Sequence, residues 1–429
     1  MIIQSYIQLQ DFLRKNEKYV LLYVTLLTVV LRTICVIIVY EKLGTSYWVD
    51  AFYYIEGAER ISQGDWILSF NDKSYFIVGP SLSILGAGFI MLFGNLIIPF
   101  FIYNILATSL MVPVLYYLGK EVFNDTAGWW MAVWGVFFYE AFKYCPQVLK
   151  EPTLFLFLPL ILLLLVRSTK SISPVKNVIL AALAFTWLIH TDERFFVYFP
   201  FFILIFLLAK QFSLIQFLKL AGLWLSIILV LMVPWEIRNY IVFKQVVILT
   251  PRTTAITYRL WGKNFAGSAS HFSDEAVRQK NIENRREQAE IFGKEYGITP
   301  REYNNCEARA RAFKNFWQPA YFRPEFIQFG FRPQKWSFSH NILGIIFYGI
   351  FLPFYLMGII LPIKQKYFIG LFLASIPMIH SLIHAYMIWP LERYRSSIDF
   401  IIVMIAFWSA DFLIKIIRKN YKSDIEINN

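Results

Sequence analysis

Val78-Gly79-Pro80-Ser81-Leu82-Ser83-Ile84-Leu85-Gly86-Ala87-Gly88-Phe89-Ile90-Met91-Leu92-Phe93-Gly94 is apolar enough to enter a membrane, but short and studded with Gly and Ser. If it crosses the bilayer, every loop after it changes side. A spanning helix needs about 20 mostly apolar residues. Runs of that kind lie near 19–40, 97–118, 126–145, 217–235, 341–361, 367–387 and 397–414, and shorter ones near 153–166, 177–190 and 194–209. Lys and Arg collect on the cytoplasmic side of such helices. With the amino terminus inside, the inner loops carry Arg14, Lys15, Lys18, Lys120, Arg167, Lys170, Lys176, Lys210, Lys219, Lys364 and Lys366, and the tail Lys415, Arg418, Lys419 and Lys422. The opposite turns hold fewer cations, chiefly Lys150, Arg194, Arg393 and Arg395. The bias holds along the chain only if 78–94 turns back or lies in the interface. That gives an all-α polytopic protein with about ten spans and both ends inside.

Composition agrees. The chain has 429 residues, 57% hydrophobic and 19% aromatic, with mean hydropathy +0.51, beyond the usual range of soluble domains. The net charge of +12 flanks apolar runs, so it calls for no nucleic-acid partner. Cys35, Cys145 and Cys306 stand apart and form neither a metal motif nor a disulfide framework. The first run lacks a cleavage site and reads as a retained helix. Three regions follow: an amino-terminal membrane module (1–235) with a first external loop at 41–77, an external helical loop (236–340), and carboxy-terminal spans with a tail (341–429). From Asp50 to Asp65, Phe52, Ile55, Ala58 and Ile61 recur at helical spacing, as in a helix lying on the membrane surface. In the large loop, 274–292 reads as a charged helix, and Thr299-Pro300-Arg301-Glu302 as the capped start of another.

Ionisable residues cluster at the ends of these spans. Asp50, in Trp48-Val49-Asp50-Ala51-Phe52-Tyr53-Tyr54, suits a helix N-cap and equally a general base for an acceptor hydroxyl. Glu151, in Lys150-Glu151-Pro152, is either helix-start electrostatics or a group that orients substrate beside Asp50. Both are also candidate ligands for a divalent metal, the sole cofactor left open. His190-Thr191-Asp192-Glu193-Arg194 reads as a solvated turn or as a phosphate site, since the guanidinium fork matches phosphate oxygens. Arg238, in Pro234-Trp235-Glu236-Ile237-Arg238-Asn239-Tyr240, and Arg393-Tyr394-Arg395 pose the same choice between snorkelling and anion binding. His380 and His384 share a helix face and suit packing or hydrogen bonding better than a metal. A secondary transporter or flippase of lipid-linked sugars would place its charges midway in spans and carry internal repeats. Here the charges sit at span ends and no repeat stands out. No nucleotide-binding loop is present, so an activated donor has to arrive in the membrane.

These blocks resemble the GT-C superfamily of membrane glycosyltransferases, in the branch of dolichyl-phosphate-mannose protein mannosyltransferases, lipid A aminoarabinose transferases and RgtA/B/C/D-like enzymes. The resemblance runs from Asp50-Ala51-Phe52-Tyr53-Tyr54 through Gly79-Pro80, Tyr116-Tyr117-Leu118-Gly119-Lys120, Lys150-Glu151-Pro152 and Arg194 to the Pro234–Tyr240 block, its most specific part. Pro319 with Phe326, and then Arg393-Tyr394-Arg395, close it. Ala51 stands where the family often has a second acid, and Ser396-Ser397 where it has a proline. The resemblance implies transfer of a sugar, with inversion, from a polyprenyl-phosphate donor to a lipid, polysaccharide or protein acceptor on the non-cytoplasmic face. Asp50 and Glu151 would be catalytic. Lys150, Arg194, Arg238, Arg393 and Arg395 would bind the donor phosphate, and Tyr53, Tyr54, His190, Asn239 and Tyr394 the sugar or acceptor. A non-catalytic assembly subunit with the same fold is the remaining alternative, which Ala51 keeps open.

Overall fold

The computed structural model describes residues 11–43, 49–66, 79–208, 212–243, 246–250, 309–310, 313–314, 316–317, 342–365, 367–387 and 392–428. Among these it is all-α. In chain order the helices are α1 (Glu17–Leu43), α2 (Val49–Ser62), α3 (Ser81–Phe93), α4 (Ile97–Val122), α5 (Asp125–Phe137), α6 (Tyr139–Tyr144), α7 (Glu151–Lys170) and α8 (Val175–Thr191). A 3-10 turn, Glu193–Val197, leads into α9 (Tyr198–Leu208) and α10 (Leu214–Phe243). Then come α11 (Leu352–Gln365), α12 (Phe368–Met387), the short α13 (Glu392–Arg395) and α14 (Asp399–Asn428). Cys306, Pro319, Phe326 and the two helices expected at 274–292 and from Thr299 lie outside the described residues.

Six helical stretches are long and apolar enough to cross a membrane. Two shorter apolar helices, α3 and α8, accompany them among the described residues. Contacts at the ends set the directions of the helices they join. At one end Lys120 pairs with Glu17 and lies 3.3 Å from Asp125, Arg167 pairs with Glu121 at 2.6 Å, the Tyr367 hydroxyl donates to the Val122 carbonyl at 2.5 Å, and Asn124 donates to Asp411 at 3.3 Å. At the other, Tyr103 and Thr153 share a hydrogen bond of 2.8 Å, and Asn104 donates to the Cys145 and Gln147 carbonyls at 3.1 and 2.6 Å. The cation-rich segments of the sequence thus meet at one end, with Asp50 and Glu151 at the other.

Helix α3 does not cross. Its 13 residues extend about 20 Å, short of the roughly 30 Å hydrocarbon core. Its start is held by Ser81, which donates to the Trp187 carbonyl at 3.2 Å, and by Gly79, which is backed against the His190 carbonyl. Its end, Gly94, is followed at once by α4, whose Tyr103 meets the first turn of α7. Both ends of α3 are therefore on the Glu151 side. Helix α2 lies along it, with Ser83 donating to the Tyr54 carbonyl at 3.3 Å and Gly86 facing Ala58.

Helix α2 presents one stripe to the rest of the protein. Ala51, Tyr54, Ala58 and Ile61 are buried, whereas Phe52 is 61% exposed and Ile55 only half-buried. Packing against α3 rotates the helix so that Tyr54 turns to the bundle and Phe52 turns away. Helix α10 continues past residue 235 to Phe243, so the carboxy-terminal half of the Pro-Trp block is helical.

Candidate functional site

Antiparallel packing of α7 and α8 sets the amino-terminal end of one beside the carboxy-terminal end of the other. This joins Lys150, which precedes α7, to Asp192, which follows α8: the Lys150 Nζ lies 3.1 Å from Asp192 Oδ2, and both side chains are almost wholly buried. Arg194 reaches back to the same carboxylate. Its Nε donates to Oδ1 at 2.7 Å, its Nη2 pairs with Oδ2, and its backbone N–H also bonds Oδ1, at 3.2 Å. Burial raises the Asp192 pKa, but Arg194 and Lys150 outweigh it and hold the carboxyl well below the usual carboxylate range. Arg194 Nη1 is buried and has no hydrogen-bond partner among the described residues. The guanidinium carbon lies 3.8 Å from the centre of the Tyr394 ring.

Around this cluster the other candidates fall into place. Glu151 is buried in the first turn of α7, where a carboxylate complements the helix dipole. Asp50 occupies the first turn of α2, half-buried and one turn before Tyr54, and reaches this end of the bundle through the α2–α3–α8 contacts. Tyr53 is half-buried, edge-on to Phe52. His190 is buried with Nδ1 2.8 Å from the Thr186 carbonyl.

The Pro-Trp block holds a neighbouring segment of chain. Trp235 Nε1 donates to the Leu249 carbonyl at 2.7 Å, and Glu236 Oε1 accepts from the Leu249 N–H at 2.7 Å. Asn239 Nδ2 donates to the Val247 and Leu249 carbonyls at 2.9 and 3.1 Å. These bonds fix Leu249 at φ 58°, a conformation that costs a branched residue about 1–2 kcal/mol. Arg238 is buried, donates to Asn239 Oδ1 at 3.0 Å and lies over the Trp235 ring. Arg395 donates to Asp399 at 3.1 Å and to the Phe316 carbonyl at 3.2 Å, and covers the Tyr348 ring. The Arg393 side chain lies outside the described residues. The structure therefore gathers Lys150, Arg194 and Tyr394 around Asp192. Arg238, Asn239 and Arg395 bond to other parts of the chain.

Asp192 is the hub of the cluster, yet in the sequence it was one of four ionisable residues in a turn. Only the antiparallel pairing of α7 and α8 reveals its partner, 42 positions earlier. His380 was legible as a hydrogen-bonding histidine, with its Nδ1 2.7 Å from the Tyr198 hydroxyl. Asp50 and Glu151 belong to no cluster of three His, Cys, Asp or Glu that would hold a metal among the described residues.

No protein-family model matches the chain, and no curated protein does. Solved structures do. The archaeal oligosaccharyltransferase AglB from Archaeoglobus fulgidus, in complex with an inhibitory peptide and a dolichol-phosphate, is similar with a TM-score of 0.55 and 12% identity, over 96% of this chain and 52% of that one. The apo form of the Archaeoglobus fulgidus oligosaccharyltransferase gives a TM-score of 0.55 and 14% identity, over 91% and 50%. The chain spans about half the length of these structures. The likeness shows that the chain shares the fold of these oligosaccharyltransferase structures over the part it spans.

Proposed function

We propose that this chain transfers a sugar from a polyprenyl-phosphate-linked donor to an acceptor on the non-cytoplasmic face, with inversion. Alongside the shared fold, one observation carries the proposal. The Arg194 guanidinium spends two nitrogens on Asp192 and keeps its buried Nη1 without a partner among the described residues, at the bundle end that also bears Asp50. Buried polar atoms find partners, and a phosphate oxygen is the best match for an arginine fork. Lys150 supplies a second cation beside it.

In this scheme Arg194 and Lys150 bind the donor phosphate and stabilise the charge it gains as it leaves. Asp50 takes the proton of an acceptor hydroxyl. The acceptor oxygen forms its bond to the anomeric carbon from the face opposite the departing phosphate, which leaves with the electrons of the broken C–O bond. The similar AglB structure contains a dolichol-phosphate and a peptide. That supports a lipid-linked donor and puts peptides first among acceptors to try, alongside lipids and polysaccharides. The cation-rich end of the bundle supports a non-cytoplasmic site.

The test is single-turnover transfer by purified protein in lipid, with polyprenyl-phosphate sugars as donors. Asp50→Asn keeps shape and loses only a first-turn charge, worth about 0.3–1 kcal/mol, so thermal stability changes little while transfer falls about 100-fold, the scale of a lost base. A folded Asp50→Asn protein with wild-type transfer removes Asp50 from catalysis. Absence of transfer from every such donor overturns the proposal in favour of a flippase or an assembly subunit.

A further inference from the structure

Four flat groups are layered beside the Lys150–Asp192 pair. The Arg194 guanidinium lies 3.8 Å from the centre of the Tyr394 ring. Tyr394 and His384 are stacked at 5.1 Å and 14°. His384 and Phe316 are stacked at 5.7 Å and 16°. The column is braced from the side. His384 Nε2 lies 3.1 Å from His380 Nε2, which also lies 3.1 Å from the Tyr394 carbonyl. The Phe316 carbonyl accepts from Arg395 at 3.2 Å. Phe316, His380 and His384 are wholly or almost wholly buried.

Asp192 grips one edge of the Arg194 guanidinium and Tyr394 supports its face. With edge and face both fixed, the plane cannot turn about its own bonds, and Nη1 keeps one direction. We infer that Phe316, His384 and Tyr394 form a positioning column, which holds Arg194 so that Nη1 meets an oxygen of the donor's lipid-linked phosphate. The inference rests on the transfer activity proposed above. It makes Phe316, an uncharged residue from the stretch between α10 and α11, a determinant of donor affinity. Small losses of alignment matter in such a site, because a misplacement of about 1 Å can cost about 100-fold.

The experiment measures KM and kcat for a polyprenyl-phosphate sugar in lipid. Phe316→Leu keeps apolar volume and removes the flat layer, and His384→Phe keeps the layer and removes the bond to His380. Phe316→Leu is expected to raise KM about tenfold, through a small loss of Arg194 alignment, and to leave kcat within about twofold. His384→Phe stays near wild type, whereas His384→Ala follows Phe316→Leu. In an Arg194→Ala background Phe316→Leu adds nothing, because both act through one group. With a wild-type enzyme that transfers sugar, an unchanged KM in Phe316→Leu overturns the column alone. So does an equal rise of KM in the Arg194→Ala background, or a His384→Phe protein as impaired as His384→Ala. A wild type that neither transfers sugar nor binds polyprenyl phosphate overturns the transfer proposal and the column together.

Discussion

Gly79 has no room for a side chain. A Cβ there would overlap the backbone carbonyl of His190, an atom that cannot swing aside, whereas a Cβ on Gly88 in the same region meets nothing within 4 Å. Gly79→Ala should cost about 1–3 kcal/mol, the usual penalty of overpacking, and Gly88→Ala should be neutral or stabilising. Thermal unfolding in detergent compares the two, and equal midpoints would show that α3 is not seated on α8 as described. Asp192 makes a second case. Its carboxyl is held below the usual range, so its contribution is complete above the unfolded value of about 3.9 and is lost as pH falls below it. Asp192→Asn leaves Lys150 and Arg194 buried without their counter-charge, a loss of about 3–5 kcal/mol at neutral pH. The gap to wild type should narrow from about pH 5 downward. A gap that stays constant to pH 3 would mean that Asp192 does not carry this charge. Glycine 79 was visible in the sequence as part of a Gly-Pro pair. What it touches was not, because contacts between distant residues leave no local pattern.

Between α5 and α6 the helix breaks at Phe138, which has φ −53° and ψ 108°. An uninterrupted helix would hydrogen-bond the carbonyls of Gly135 and Val136 internally. Here Arg32 of α1, fully buried, donates to them at 3.2 and 3.1 Å and lies flat on the Phe142 ring. An arginine within a membrane helix ordinarily marks a functional pathway. This one closes the end of a broken helix, where a cation also suits the dipole. Arg32→Met should leave two carbonyls unsatisfied at about 1–3 kcal/mol each, lowering the unfolding midpoint, with Arg32→Lys in between. A midpoint unchanged in Arg32→Met would place the support of the break elsewhere. The sequence showed 126–145 as one apolar run because hydrophobicity registers membrane depth and is blind to a change of backbone direction at that depth. The spans themselves were legible for the same reason: a bilayer demands length and apolarity whatever the packing. Which face of α2 meets the protein was not legible for the same reason, since spacing counts apolar residues alike whether they face protein or lipid.

At the scale of the whole molecule, everything turns on α3. With both its ends on the Glu151 side, Asp50, Glu151, Lys150, Arg194 and Arg238 share one face, and a single site can use them. A crossing at α3 would put Asp50 opposite the rest and dissolve that site. The parity of the chain can be read by thiol labelling in sealed membranes, after removal of Cys35, Cys145 and Cys306. Gln63 and Asn95 flank α3 and Ile172 caps the opposite end between α7 and α8, all exposed. Single cysteines at 63 and 95 should react with an impermeant reagent from the same side, and a cysteine at 172 only from the other. On the Lys and Arg distribution the 172 side is expected to be the cytoplasmic one. Reaction at 95 from the 172 side would show that α3 crosses after all. Labelling of all three in their expected places would put the Lys150–Asp192–Arg194 cluster at the non-cytoplasmic end of the bundle.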